Sequence, residues 1–309
     1  MKQQSKSKAT ILALLTVFLP VLLAKCLSAQ EPANFSGQRA FDDIRQLVAF
    51  GPRPPGSEPL AESRQWIIHQ LLKAGCHVEQ DPFTASTPIG PIKMTNIIAT
   101  IPGASPSVII LAGHYDTKLF NDIRFVGAND GGSSAAFLLE MARVLGRRKN
   151  KYTYWLVFFD GEEALQTWSA TDSLYGSRHL VQKLSADGDL NHIQAMILVD
   201  MIADKKLDIR RDGNSTPWLS DLLFKAADRL GYSHDFLKNQ LIAVEDDHTP
   251  FINAGVSALD IIDLDYGPEN SYWHAAQDTL DKCSPQSLEV VGRVVTALLQ
   301  ELDHSPRIH

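Results

Sequence analysis

The sequence predicts a three-layer α/β/α sandwich around a largely parallel, mixed central sheet. Three observations lead there. Four short runs, 108–112, 154–159, 195–199 and 256–262, are almost wholly apolar. Strands buried on both faces read this way, because helices cover both sides of a parallel sheet. Segments with helical apolar spacing separate those runs. Ionisable residues follow most of the runs at once, and open α/β sheets place their sites outside the carboxyl ends of strands.

In chain order, residues 40–50 and 58–74 carry apolar residues at helical spacing, with Gly51-Pro52-Arg53-Pro54-Pro55-Gly56 breaking the pattern between them. Strand-like runs at 76–84 and 94–101 come next. The first apolar strand, 108–112, leads to a helix over 131–145, and the second, 154–159, to a helix over 174–184. The third, 195–199, precedes a helix over 216–230. After the fourth strand, Leu288, Val291, Val295, Leu298 and Leu302 mark a final amphipathic helix. No internal repeat or low-complexity linker interrupts this order, so residues 30–309 read as one domain.

Residues 1–29 have the pattern of a secretory signal. Lys2, Lys6 and Lys8 form a basic start, residues 11–23 are apolar, and Leu27-Ser28-Ala29 offers small residues before a cut. The apolar run is short for a membrane span. An uncleaved anchor is the alternative, and a secreted or periplasmic chain without stable membrane association is the expectation. The chain has 29 basic and 36 acidic residues, a net charge of −7. Loss of 1–29 removes four lysines and leaves −11. That balance excludes nucleic-acid binding by charge. Cys76 and Cys283 remain after cleavage, and two cysteines make no disulfide framework, although an oxidising compartment would allow them to pair. Asn34-Phe35-Ser36 and Asn214-Ser215-Thr216 are glycosylation sequons.

The most informative stretch is Asp160-Gly161-Glu162-Glu163, directly after the second apolar strand. Adjacent carboxylates there repel each other unless a cation or a shared proton relieves them. One glutamate then suits a metal ligand and the other a general acid/base. His114 and Asp116 follow the first strand, Asn129-Asp130-Gly131-Gly132 precedes a helix, and Asp200 follows the third strand. Later loops hold Glu245-Asp246-Asp247-His248 and Trp273-His274. Taken singly, His114 reads as a core histidine, Asp130 as a helix cap, and Asp247 and His248 as caps of a short helix near Pro250. Together they place several carboxylates and histidines at one sheet edge, where burial without a cation is costly. Histidine with carboxylates and no cysteine suits a catalytic Zn2+. Magnesium or calcium would call for more oxygen and less histidine.

These motifs resemble the zinc-aminopeptidase superfamily in order and spacing. The match is sharper to its glutaminyl cyclase family, over roughly residues 36–304. Asp160-Gly-Glu-Glu-Ala-Leu-Gln-Thr-Trp168, Asp172-Ser-Leu-Tyr-Gly-Ser-Arg-His-Leu180, Glu245-Asp-Asp-His-Thr-Pro-Phe251 and Trp273-His274 carry it. The resemblance implies one zinc held by Asp130, Glu163 and His274, with Glu162 as acid/base and Asp200 and Asp246 in a hydrogen-bond network beside it. It implies a substrate pocket lined by Trp168 and Trp273, each of which would otherwise read as a core aromatic. Peptides or proteins with N-terminal glutamine are the implied substrates, and a monomer is expected. Tyr175, Arg178 and His179 read as packing residues of their helix, and the role of Asp116 stays open. Two departures stand out from the secreted animal pattern: Gly113 where a cysteine is frequent, and Asp260 where a histidine is common. If Asp260 is buried, it needs a raised pKa or a partner.

Two other readings compete. In a two-zinc aminopeptidase, His114 and Asp200 would bind a second metal, Asp130 would bridge the ions, and Glu162 would activate water. In a non-catalytic ectodomain the site would have decayed, yet every expected ligand is present. Cleavage after Ala29 would expose Gln30, a member of the cyclase's own substrate class.

Overall fold

A computed structural model describes residues 34–304. The signal reading and Gln30 lie outside the described residues. Two helices, α1 (Gly37–Ala49) and α2 (Glu58–Lys73), open the fold, and the Ser36 and Ser57 side chains cap their first turns. Next come β1 (His77–Thr87), β2 (Gly90–Ile101), β3 (Ser105–His114), α3 (Gly132–Leu145) and β4 (Tyr152–Phe159). Then follow α4 (Tyr175–Asp187), β5 (Ile193–Asp200), β6 (Ile209–Asp212), α5 (Pro217–Leu230) and β7 (Phe236–Ile242). The short α6 (His248–Asn253), β8 (Ala258–Ile262) and α7 (Pro285–His304) complete the order.

Six strands form one sheet in the order β1-β2-β4-β3-β5-β8. The β1–β2 hairpin and the β2–β4 pair are antiparallel, whereas β4–β3, β3–β5 and β5–β8 are parallel. Alternation along each apolar strand divides its side chains between two cores. Ile109 and Leu111 of β3, with Ile197 and Val199 of β5, pack on the face covered by α1, α2, α3, α5 and α7. Ile110 and Ala112, with Met196 and Leu198, pack on the face covered by α4 and α6. Both faces are buried, which is why these strands lack polar alternation.

The structure departs from the sequence expectation at two places. β1 and β2 run longer than 76–84 and 94–101 and meet at a tight turn near Gly90. A separate two-stranded parallel sheet, β6–β7, was not anticipated. Cys76 and Cys283 are both buried and free. Gly113 is explained by packing: a Cβ there would lie 2.6 Å from the Ser134 Cβ and 2.9 Å from the Val199 carbonyl oxygen. No helix among the described residues is long and apolar enough to cross a membrane.

Candidate active site

The parallel strands deliver their chemistry at one edge. β3 ends on His114, β5 ends on Asp200, and β4 is followed by Asp160-Gly161-Glu162-Glu163. Asp116, fully buried, accepts the backbone N–H groups of Glu162 (3.3 Å) and Glu163 (3.4 Å), and also lies 3.4 Å from His114 Nδ1. One carboxylate thus orients both glutamates and the histidine. Asp160 has a structural task instead, accepting Thr95 N–H at 2.8 Å and the Tyr115 hydroxyl at 3.3 Å.

Asp130 is not a helix cap. Gly131 takes the cap position with φ +75°, and a Cβ there would sit 2.3 Å from the Asp116 carbonyl oxygen and 3.0 Å from the His114 ring. Asn129 fastens the turn from outside: its side chain donates to the Met201 carbonyl and accepts from Ala203 N–H. Asp278 accepts the N–H groups of Asn129 (2.8 Å) and Asp130 (3.1 Å). So held, Asp130 presents one oxygen to each of two histidines, Oδ2 at 3.4 Å from His274 Nε2 and Oδ1 at 3.3 Å from His114 Nε2.

Two sets of three donors result, and both include Asp130. In the first, Asp130, Glu163 and His274 place ligand atoms within 4.8 Å of one another. His274 Nε2 lies 3.0 Å from Glu163 Oε1. His114, Asp130 and Asp200 form the second set, with His114 Nε2 3.2 Å from Asp200 Oδ1. Asp130 Oδ2 is buried with no hydrogen-bond partner. A buried carboxylate oxygen without a donor, facing an imidazole nitrogen and a second carboxylate, fits a zinc ligand set. Burial alone would raise the Asp130 pKa, but the facing His114 and His274 rings outweigh it and hold the carboxyl well below its ordinary range. The carboxylates of Asp130 and Glu163, against burial, lift His274 to about 9.

Around this set lies a cavity of about 280 Å³. Glu162, Asp246, Val244, Trp168 and Trp273 line it with the metal set. A larger hollow of about 720 Å³ near Tyr272 and Lys282 has none of these donors. Donor chemistry, not volume, selects the smaller one. Burial pushes Glu162 well above the ordinary carboxylate range; His114 opposes this, while Glu163, Asp246 and Asp247 add to it. Burial and the nearby Asp200 lift Asp246 to about 7. Asp246 Oδ1 accepts Asp247 N–H at 2.5 Å, and Asp200 Oδ1 takes the Ser134 hydroxyl at 3.3 Å.

The tryptophans are not core aromatics. Trp168 is 37% exposed and Trp273 is 43% exposed, so both stand at the cavity mouth. Trp273 stacks on His274 at 4.2 Å between centroids. The segment before Trp168 hangs on Asp172, which accepts the N–H groups of Leu165, Gln166 and Thr167, each at 2.9 Å. Trp168 Nε1 donates to Glu245 Oε2 at 3.4 Å. Sequence reasoning missed three neighbours of the metal set. Lys118 Nζ lies 3.2 Å from Glu163 Oε2, and Phe120 and Phe125 stand edge-on to the His274 ring. All three come from the irregular segment between β3 and α3, where no periodicity announces which way a side chain points.

The profile of Peptidase family M28 matches residues 96–299. A crystal structure of an Acidobacteriales bacterium glutaminyl cyclase is 47% identical and superposes with a TM-score of 0.84, covering 90% of this chain and 98% of that one. A Bos taurus protein named glutaminyl-peptide cyclotransferase-like protein is 32% identical over 298 residues, 84% of this chain and 73% of its own length. The chain belongs to the glutaminyl cyclases of peptidase family M28. A Porphyromonas gingivalis glutaminyl cyclase shares the fold at TM-score 0.80 with 30% identity, covering 87% of this chain and 99% of that one. The family is zinc-dependent, and the donor sets around Asp130 fit that metal.

Zinc removal has a pH signature. Burial raises Asp160, Asp263 and Asp278 to about 7 from an ordinary 3.8. The native state therefore holds more protons than the unfolded chain between those values, so stability falls as pH rises through the window. His274, raised from 6.5 to about 9, adds stability below 6.5 that is lost as pH rises through 9. Both act in the same direction. Zinc binding acts in the opposite one, because its ligands must shed protons. The melting temperature of the chelated protein is expected to fall from pH 5 to pH 9, with the zinc-loaded protein pulling further ahead across that range. Paired melting curves check this, and a gap that narrows with pH would contradict it.

Proposed function

We propose that the chain converts the N-terminal glutamine of peptides or proteins to pyroglutamate with release of ammonia. The observation that carries this reading is one small cavity that joins a buried glutamic acid, a zinc ligand set and two half-exposed tryptophans. At about 280 Å³ it is small for a ligand pocket, which suits one residue and its terminus rather than a longer stretch of peptide.

Asp130, Glu163 and His274 would hold the zinc. The ion supplies a Lewis acid for the γ-carbonyl oxygen of the substrate and for the charge that develops there. Glu162 takes a proton from the substrate α-amine as its nitrogen bonds to the side-chain carbonyl carbon, Cδ, closing the five-membered ring. It then returns that proton to the side-chain nitrogen as the old C–N bond breaks and ammonia leaves. Its raised proton affinity suits both halves of that task, and Asp246 strengthens it by like charge. Trp168 and Trp273 hold the glutamine folded toward its own amine, which is itself catalytic in an intramolecular reaction. They also keep out the water that an aminopeptidase would need.

One specific observation favours the two-zinc aminopeptidase: the complete second set of His114, Asp130 and Asp200. Against it, His114 does not line the cavity, whereas Asp130, Glu163 and His274 all open onto it beside Trp168 and Trp273. We therefore assign one zinc. Ammonia release should follow addition of a peptide that begins with glutamine and not of one with glutamine in second place. Absence of ammonia from both would sink the reading.

Export is part of the same proposal. Cleavage after Ala29 would leave Gln30 as the new terminus. The secreted protein is then expected to carry pyroglutamate at position 30, formed in trans. Intact mass of secreted wild type and of Glu162→Gln checks it, the variant serving as the control for spontaneous closure. An open Gln30 in wild type cut at that bond would reject it.

A further inference from the structure

The loop that carries Glu245 and Asp246 is fastened behind the cavity by one buried carboxylate that the reaction does not use. Asp212 ends β6, one strand of the small second sheet, and is 3% exposed. Its Oδ1 accepts Val244 N–H at 3.1 Å and Asn214 N–H at 3.1 Å. Its Oδ2 accepts the Ser215 hydroxyl at 2.7 Å and lies 3.3 Å from His248 Nε2. Asn214 adds a second grip, donating from Nδ2 to the Val244 carbonyl at 2.6 Å. Val244 is therefore held at both its N–H and its C=O.

The far end of the loop meets the same carboxylate. His248, fully buried, stands between Asp212 and Asp260, with Nδ1 4.0 Å from Asp260 Oδ2. Ser215 ties the two acids together: its hydroxyl donates to Asp212 and accepts Asp260 N–H at 2.9 Å. Between Val244 and His248 lie Glu245, the partner of the Trp168 indole, and Asp246, the neighbour of Glu162 in the cavity. Neither end of this five-residue wall can shift without breaking a contact to Asp212.

We infer that Asp212, assisted by Asn214, is a positioning residue that sets Glu245 against Trp168 and Asp246 against Glu162. The inference rests on the cyclase reading of the cavity. Aspartate is required because three donors and an imidazole converge on its two oxygens, and an amide would offer N–H groups where acceptors are needed.

The test compares Asp212→Asn with Glu140→Gln. Glu140 is a buried carboxylate of α3 that receives Ser36, Arg39 and Arg143 and touches no cavity residue. Both variants are measured with one bound zinc and well below their melting temperatures. Asp212→Asn is expected to lose about 10-fold or more in kcat/KM on a Gln-initiated peptide, while Glu140→Gln stays within about twofold of wild type, because only the first alters the transition-state geometry. A cycle with Glu245→Ala should be non-additive. The share of tryptophan emission lost in Trp168→Phe should shift in Asp212→Asn, a readout independent of turnover. Unchanged kcat/KM and unchanged Trp168 emission in Asp212→Asn would overturn the inference. If Asp212→Asn does not fold, Asn214→Ala at the exposed end of the clamp decides: KM should rise about threefold or more, and an unaltered KM would overturn it. An inactive wild type would instead count against the cyclase reading, with the emission shift still judging the clamp.

Discussion

Glu162→Gln is expected to bind zinc like wild type and to lose activity by about 100-fold to 10,000-fold, the usual contribution of a positioned acid/base. Glutamine keeps the size of the side chain and its contacts, so the loss reports proton transfer alone. Glu162 is not in the first donor set, and its backbone stays fixed by Asp116. Substrate affinity should change little. Metal analysis with steady-state kinetics checks both halves. A variant that keeps near wild-type kcat would remove Glu162 from the mechanism. A variant that loses zinc would move it into the ligand set.

His274→Ala and His114→Ala should separate the two donor sets. His274 faces both Glu163 and Asp130 and belongs to the set with the cavity mouth. Its loss is expected to weaken zinc binding by more than the 10-fold to 100-fold that supporting residues cost, and activity should disappear with the metal. His114→Ala should keep one zinc per chain and lose less activity, because it orients Asp130 and Asp200 through hydrogen bonds. Zinc content measured beside turnover decides. If wild type bound two zinc ions and His114→Ala bound one, the second set would be a metal site and the aminopeptidase reading would gain.

Much of this was legible in the sequence because buried parallel strands and the residues after them are conspicuous. Runs such as Val108-Ile109-Ile110-Leu111-Ala112 have no other comfortable place than a covered sheet. Their ends fix His114, Glu162, Glu163 and Asp200 without knowledge of loops. The β6–β7 pair was not legible. Ile209-Arg210-Arg211-Asp212 is mostly polar, and β7 is largely exposed, so neither carries an apolar run or strict alternation. The loop contacts of Lys118, Phe120 and Phe125 depend on tertiary closure and leave no local trace. Trp168 and Trp273, taken singly, read as core aromatics, and only the resemblance assigned them to a pocket. Asp260 is as buried as expected, at 2% exposure, on the face shared with Ala258. Its pKa is raised by burial first and by Asp246, Asp212, Asp200 and Asp247 in turn.

Product mass tests the central claim most directly. The zinc-loaded protein is incubated with a peptide that begins with glutamine, and the product is weighed. The cyclase reading predicts a peptide of full length lighter by one ammonia, absent with Glu162→Gln. Free glutamine and a peptide shorter by one residue would contradict it and establish hydrolysis of the terminal bond.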